Sequence, residues 1–413
     1  MPDVSVTPPP APPAGGPPRV TRYTYRFHLW GNAFEALSMG LFQLNDVVAR
    51  KALGASEIEI TFLTMAGAGF FVFAFPFGSL MENQPKGPFI FWAGLLCRGA
   101  LLFTGLTSHS MVFILLCCAV FLSEAIFIPA QTSIFKSNYD PDWRGRMLGR
   151  AMLWTRWLLP PAAIAGGLLL DRNPELYRVL FPLAGVFGFL AFVQYARIRV
   201  RTRPKPVPAK VGGSRPGFRR VLRENPGFDR FERNFYVYGV AFMMLTPVNV
   251  FLMVDHLRMS YGEISAAKLV VPNLMIALFS PLAGKIFDRF RAIRASGAAF
   301  LMIALYPLTL FFAVEFQSVM LTLLGFGFFG AAMAGVHQVW TLGPMHFSGG
   351  RDPAPFQGVH MTAGGIRSLF APWIGHATYL LLGIGAVYLI STGLFFLASY
   401  MMFRLTRSVS PRT

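Results

Sequence analysis

Apolar residues fall into twelve runs along the chain, each long enough to form a helix that crosses a membrane. A spanning helix needs about 20 mainly apolar residues, and a polar stretch separates the first six runs from the last six. The predicted spans are 27–50, 57–81, 88–107, 111–135, 147–170, 176–197, 232–254, 265–287, 293–314, 317–345, 357–381 and 383–404. This arrangement predicts two bundles of six helices.

The composition is typical of a membrane protein. Of the 413 residues, 54% are hydrophobic and 14% are charged, whereas soluble domains average about 25% charged residues. The mean hydropathy is +0.50. Cys97, Cys117 and Cys118 lie in apolar runs without a metal-binding spacing, so we expect neither a metal nor a cofactor.

Polar segments delimit the predicted domains. Residues 1–25 are rich in proline and predict a disordered cytoplasmic tail, with a docking segment for a proline-recognising domain as the alternative. We predict an N-terminal six-helix bundle over 26–197 and a C-terminal one over 232–405. A basic cytoplasmic linker, 198–231, joins them, and a second cytoplasmic tail occupies 406–413.

Lysine and arginine are distributed asymmetrically about the runs. If both termini are cytoplasmic, 27 of the 37 basic residues lie in inside segments and six lie in outside loops. Multi-pass membrane proteins carry such an excess on the cytoplasmic side. We therefore predict cytoplasmic termini in the plasma membrane, the inner membrane of a bacterium. The net charge of +18 orients the chain in a bilayer, and we expect no nucleic-acid partner.

The same glycine–acid motif follows the second and the eighth run. Gly78 precedes Glu82, and Gly284 precedes Asp288 and Arg289, with the glycine and the acid four residues apart in both copies. A glycine lets two helices approach closely, and an acid one turn later can meet a neighbouring helix N-terminus or an arginine. Internal repeats of this kind are typical of duplicated transporter folds.

With these loops, the sequence resembles the major facilitator superfamily over about residues 25–405. The segment "FIPAQTSIFKSNYDPDWRGRMLG" also resembles that superfamily's passage from helix four to helix five. The resemblance implies an all-α membrane protein with twelve transmembrane helices in two six-helix pseudo-repeats, whose helices one, four, seven and ten line a central cavity. It also implies a cytoplasmic gate at Gly78, Glu82, Arg144, Gly284, Asp288 and Arg289. The first-half loop departs from the family pattern, with Glu82 in place of aspartate and Asn83 in place of arginine.

Polar side chains inside the predicted spans are the candidates for function, because each charge costs about 2.5–3.5 kcal/mol to insert. In the first run, Asn32, Glu35, Gln43 and Asp46 recur at helical spacing and share an arc of about 100°. Such a stripe must face protein or water. The predicted substrate and coupling residues are Asn32, Glu35, Gln43, Asp46, Glu124, Gln131, Arg156, Tyr238, Asn249, His337 and Arg367.

Arg156 and Arg367 occupy matching places in the fifth and eleventh runs. At about 1.5 Å of rise per residue, both lie near the middle of the bilayer. A guanidinium stays charged at that depth, so each needs an acid, carbonyls, water or an anionic ligand. We predict that Arg156 pairs with Glu124, and that Arg367 faces the cavity and binds substrate or a mobile acid such as Glu35.

Two candidates have a purely structural alternative. Glu124 then only neutralises Arg98 or Arg156 as an ion pair. His337 is then a hydrogen-bonded contact between helices and carries no proton.

The pattern as a whole predicts a secondary active transporter that moves a small solute by alternating access, coupled to protons or another ion as a symporter or antiporter. No Walker sequence is present to drive transport with ATP. The alternatives on the same fold are a transport-dead sensor and a membrane-embedded enzyme. We expect no enzyme, because no compact catalytic set lies at either membrane face. The expected partners are the solute, the coupling ion and the bilayer, and the expected oligomeric state is a monomer.

Reporter fusions test the predicted topology. Fusions at Ala209, in the linker, and at Thr413, at the C-terminus, should both report a cytoplasmic location, because short basic segments stay on that side. A periplasmic signal from either fusion would contradict the twelve-span arrangement.

Overall fold

The structure is a computed structural model that describes residues 16–81, 84–200, 218–289, 292–348 and 354–409. Those residues form helices and no strand, which confirms the predicted all-α class. In the described residues twelve long helices follow one another: α1 (Arg19–Phe42, continued by Asn45–Lys51), α2 (57–80), α3 (86–106), α4 (Ser110–Asn138), α5 (Pro141–Arg172), α6 (Pro174–Ala196), α7 (Pro226–His256), α8 (261–289), α9 (Ala292–Glu315), α10 (Val319–Ser348), α11 (Ala354–Leu382) and α12 (Ile384–Val409).

Each helix coincides with one predicted span. Most of the predicted N-terminal tail and the central part of the linker lie outside the described residues. A short helix, Phe218–Glu224, precedes α7.

Ten of the twelve long helices in the described residues are more apolar than α1 and α11. Among the described residues, the other ten helices are long and apolar enough to cross a membrane. The α1 segment Arg19–Phe42 and α11 have 24 and 29 residues, which also suffices for a span. Both carry charged side chains at membrane depth, Glu35 in α1 and Arg367 in α11.

The helices pack mainly with others from the same part of the chain. The helix α1 packs on α5 and α6, while α7 packs on α11 and α12, and α9 packs on α10 and α12. We call residues 16–200 the first half and residues 218–409 the second half. The linker end is the end of the molecule where residue 200 leaves α6 and residue 218 leads into α7. The loop end is the opposite end.

The turns α1–α2 and α7–α8, both at the loop end, have the same backbone structure. Gly54 and Arg258 adopt the left-handed conformation at equivalent positions, with φ of 63° and 47°. The next residues, Ala55 and Met259, each donate their amide to the carbonyl six residues earlier at 2.8 Å. The two turns are therefore copies of one another.

The helices that follow these turns begin with the same capping box. The Ser56 side chain accepts from the Glu59 amide, and the Glu59 carboxylate accepts from the Ser56 amide at 2.7 Å. Ser260 and Glu263 make the same pair of bonds in α8, the second at 2.8 Å. A capping box satisfies amides that a helix N-terminus leaves unpaired. The repeated turn and cap support the duplication predicted from the glycine–acid motifs.

Several helices depart from regular geometry inside the membrane. Wider, π-helical turns occupy Gly94–Arg98 in α3, Leu252–His256 in α7 and Ala266–Val270 in α8. The first part of α1 ends at Phe42, and its continuation starts at Asn45. Turns of this kind are frequent at functional sites, and the one in α3 ends at a buried arginine.

Candidate functional site

A buried ion-pair cluster lies in the first half, where α1, α3 and α4 meet. The Arg98 side chain is fully buried, and its Nη2 donates to Glu35 Oε1 at 2.8 Å and to Glu124 Oε1. The guanidinium also lies 4.9 Å from the ring centroid of Phe192, which adds a cation–π attraction. The Glu35 and Glu124 side chains keep 19% and 25% of their exposure. Parts of both glutamate side chains are therefore accessible, whereas the guanidinium and Glu35 Oε2 are buried.

The local fold makes room for this arginine in two ways. The π-helical turn Gly94–Arg98 ends on it and directs its side chain into the bundle. On α6, Gly188 lacks a Cβ, which would lie 3.1 Å from Arg98 Cδ. A larger residue at 188 would press on the arginine, so the glycine preserves the cluster.

The cluster is not balanced in charge. With both carboxylates ionised, two negative charges share one positive charge. Within the part of the chain that the structure describes, Oε2 of Glu35 and Nε and Nη1 of Arg98 are buried without a hydrogen-bond partner. Buried charges are costly unless they are paired. One proton on either carboxylate removes the excess negative charge, so the cluster can bind and release a proton.

Other predicted residues of the first half are linked through Tyr195 on α6. The Tyr195 hydroxyl donates to Asn32 Oδ1 at 2.5 Å, and the Gln131 side chain lies close enough to interact with Tyr195. The structure thus brings together the polar residues of α1 and α4, one turn from Glu35. Gln43 lies at the interruption of α1.

The predicted pairing of Arg156 with Glu124 is wrong. Arg156 Nη1 donates to Asn273 Oδ1 on α8, in the second half, at 3.0 Å. Glu124 instead meets Arg98, because α4 packs directly against α3. His337 on α10 has an exposed side chain within electrostatic reach of the Arg156 guanidinium. These groups form a polar surface where α5, α8 and α10 approach one another.

Arg367 is buried inside the second half, so the prediction that it faces the cavity is also wrong. It is 4% exposed, and its Nη1 donates to the Phe235 carbonyl at 3.1 Å. The guanidinium lies 5.6 and 5.7 Å from the rings of Phe235 and Trp340. Gly239 leaves the necessary space, since a Cβ there would overlap the guanidinium. A carbonyl and two aromatic rings therefore take the place of the expected acid, and Glu35 is held by Arg98.

The predicted residues of α7 point into their own bundle and do not line the cavity. Tyr238 is 3% exposed and stacks on Phe300 at 4.3 Å. Asn249 donates to the Tyr306 hydroxyl at 2.8 Å and accepts from the Tyr388 hydroxyl at 3.3 Å. The aromatic core of the second half supplies partners for these polar groups, which the cavity assignment did not consider.

The predicted cytoplasmic gate lies at the linker end. The structure does not describe Glu82 or the side chains of Arg144, Asp288 and Arg289. The two glycines are described. Among the described atoms, those within 4 Å of a Cβ placed on Gly78 or Gly284 belong to the glycine's own half.

Ion pairs join the two halves at the loop end. Lys268 Nζ lies 2.6 Å from Asp46 Oδ2, and Arg50 Nη2 lies 3.0 Å from Asp255 Oδ2. All four side chains are at most 30% exposed, so solvent screens them only partly. Asp46, expected as a coupling residue, is therefore a contact between the halves.

Helix N-termini provide further contacts across the loop end. Asp171 on α5 accepts from the amides of Tyr261 and Gly262, at the start of α8, at 2.6 and 2.8 Å. A carboxylate is stabilised at this end of a helix. On the equivalent side of the molecule, Glu57 at the start of α2 lies 3.3 Å from His376 Nε2 on α11.

These loop-end partners were not predicted from the sequence. Arg50, Asp171, Asp255, Lys268 and His376 were not among the predicted site residues. The signal was present in the sequence, because the loop-end termini of the spans carry charges of both signs in each half. The repeat shows where those termini meet.

Comparison with known proteins identifies the family. A family model described as the Major Facilitator Superfamily matches residues 30–352, well over half of the chain. The chain belongs to the major facilitator superfamily. Solved structures with the superfamily fold include a POT family transporter bound to a thioalcohol-conjugated peptide, with a TM-score of 0.72, 11% identity, and coverage of 97% of this chain and 99% of that one.

Two further solved structures have the same fold. The nucleoside transporter NupG has a TM-score of 0.67 and 12% identity, covering 92% of this chain and 99% of that one. The human organic anion transporter MFSD10 has a TM-score of 0.63 and 15% identity, covering 93% of this chain and 100% of that one. No curated protein sequence matches the chain significantly. The structural similarity shows that the fold extends beyond residue 352, because these matches cover 92–97% of the chain.

Replacing Arg98 tests the ion-pair cluster. Arg98→Leu should lower the stability of the purified protein by about 3–5 kcal/mol, because it leaves two buried carboxylates without a counter-charge. Adding Glu35→Gln and Glu124→Gln should restore part of the loss. The measurement is the thermal unfolding midpoint in detergent.

Arg220→Leu is the matched control, since Arg220 is 64% exposed and pairs only with Glu224 one turn later. Its effect should be within about 1 kcal/mol. Equal unfolding midpoints for Arg98→Leu and the control would contradict the assigned cluster.

Proposed function

We propose that this secondary transporter works by alternating access and couples the movement of a small solute to a proton bound by the Glu35–Arg98–Glu124 cluster. The observation that carries the proposal is a fully buried guanidinium shared by the carboxylates of two partly accessible side chains. A purely structural pair needs only one acid. The second acid leaves a charge that a proton can neutralise.

Alternating access requires contacts between the halves that close one end at a time. In this conformation the described ion pairs between the halves lie at the loop end, and α2–α11 and α5–α8 pack there. Among the described atoms, those within 4 Å of a Cβ on either glycine of the linker-end gate belong to the same half. The conformation fits a state whose cavity opens toward the linker end. With the basic excess of that end, we assign it to the cytoplasm, which makes this the inward-open state.

The proton cluster and the loop-end contacts share α1. Glu35 lies in its first part, while Asp46 and Arg50 lie in its continuation. Protonation of Glu35 or Glu124 replaces an ion pair with Arg98 by a weaker hydrogen bond from the guanidinium to a neutral carboxyl group. The resulting change in the packing of α1 against α3 would pass along α1 to the loop-end ion pairs. Binding a proton would in this way bias the equilibrium between the two states.

The solute-binding groups that we propose are polar and lie on both halves. Asn32, Gln131 and Arg156 lie on the first half, and His337 lies on the second half, within electrostatic reach of Arg156. The solved transporters named above act on peptides, nucleosides and organic anions, so the fold alone does not select a solute. A thermal-shift screen of metabolites on the purified protein would supply the ligand for transport assays.

Glu124→Gln separates coupling from binding. In proteoliposomes this variant should lose accumulation driven by a pH gradient, because it holds no exchangeable proton at position 124. It should keep solute exchange at equal concentrations on both sides, because exchange moves no net proton. The measurement is uptake of the radiolabelled ligand found in the screen.

The matched control is Glu175→Gln, an exposed carboxylate at the loop end that is 62% exposed and pairs with Arg178. It should behave as the wild type in both assays. Gradient-driven accumulation at the wild-type level by both Glu35→Gln and Glu124→Gln would overturn proton coupling at this cluster. If the wild type moved none of its ligands in either assay, the sensor alternative would be favoured.

A further inference from the structure

A second buried ionisable pair lies in the second half, away from the cluster of the first half. His360 on α11 places Nδ1 2.9 and 3.1 Å from the two carboxylate oxygens of Glu232 on α7. Their side chains are 1% and 7% exposed. Neither residue takes part in the contacts between the halves, and the proposed transport cycle does not use them.

Aromatic rings surround the imidazole. The His360 ring centroid lies 4.3 Å from that of Trp340 and 4.6 Å from that of Phe235, both in edge-to-face geometry. The ring of Phe231 is 6.3 Å away. The second nitrogen, Nε2, is buried and has no hydrogen-bond partner among the described residues. One imidazole nitrogen thus faces a carboxylate, and the rings of Trp340 and Phe235 pack against the imidazole.

The neighbouring charges permit both states of the imidazole. Arg367 lies two turns further along α11, over the same Phe235 and Trp340 rings, and interacts electrostatically with Glu232. With a neutral His360, the negative Glu232 and the positive Arg367 balance each other. With a protonated His360, the group carries one excess positive charge, partly compensated by the aromatic rings. Protonation of His360 therefore changes the net charge of the group from zero to plus one.

Other charged groups nearby do not face the imidazole in the described part of the chain. Arg233 on α7 is 74% exposed and pairs with Asp229. The arginines of the short helix Phe218–Glu224, which packs against α7 and α11, are exposed. On α10, His337 has an exposed side chain, three residues before Trp340.

We propose that His360 and Glu232 form a second proton-binding site, held by the second half alone. A proton from the aqueous space binds an imidazole nitrogen and is later released, with no other bond made or broken. The site joins α7 to α11, and these helices also carry Asp255 and His376 of the loop-end contacts. Its protonation would therefore change the packing of two helices that meet the first half.

The indole of Trp340 reports this protonation directly, because a protonated imidazole in contact with an excited indole quenches its fluorescence. The full-length protein would keep Trp340 as its single tryptophan, with phenylalanine at positions Trp30, Trp92, Trp143, Trp154, Trp157 and Trp373. In detergent, its fluorescence should fall in one transition as the pH is lowered. His360→Gln should abolish the transition. Glu232→Gln should move it to lower pH, because the favourable carboxylate charge is gone.

His337→Gln is the matched control, since His337 is one turn from Trp340 on the same helix, and it should leave the transition unchanged. A flat profile in the folded wild-type background, or a transition that survives His360→Gln, would overturn the proposal. If the single-tryptophan protein does not fold, the difference between wild type and Trp340→Phe gives the same signal. No solute is needed, so the result is independent of whether the first-half cluster couples transport.

Discussion

A charge inside a membrane is tolerated only where the protein itself compensates it, and this constraint organises the whole molecule. Each half balances its own deeply buried arginine. The first half uses two carboxylates for Arg98, and the second half uses a carbonyl, two aromatic rings and the more distant Glu232 for Arg367. Since neither arginine needs a partner in the other half, the halves can separate without unpairing either of these two charges.

The ion pairs that join the described parts of the two halves are more exposed than the two buried arginines. The pairs Asp46–Lys268 and Arg50–Asp255 lie at the loop end and are partly exposed. Partly exposed pairs cost little to break, because water takes over their solvation. Ion pairs of moderate strength at one end are suited to a closure that must reopen in every cycle. The Asp171 carboxylate on α5 adds a further contact to this closure. It can accept from the first amides of α8 only when the N-terminus of α8 lies against α5.

Hydropathy and the repeat predicted the all-α fold and every long helix of the described residues, because both signals depend on single residues and their spacing. Side-chain pairing depends on which helices are neighbours and how they are rotated, and the sequence contains this only indirectly. Glu124 could meet Arg98 or Arg156 from its depth alone, and the packing of α4 on α3 decided for Arg98. Arg367 matched Arg156 along the chain, yet the room left by Gly239 turns it into its own bundle. His360 was not predicted, because a histidine near the end of a span has no distinctive sequence pattern. Its role depends on Glu232, Trp340 and Phe235, which only the fold brings next to it.

Distances between spin labels across both ends of the molecule test the alternating movement most directly. One pair, on cysteines at His109 and Gln317, spans the loop end, and a second, at Gln84 and Arg404, spans the linker end, with the native cysteines replaced by serine. All four positions are exposed. Asp46, Asp171 and Asp255 would be changed together to asparagine to weaken the loop-end contacts. Alternating access predicts that the loop-end distance lengthens while the linker-end distance shortens, as measured by double electron–electron resonance. A longer loop-end distance with an unchanged linker-end distance, or no change at either end, would contradict it.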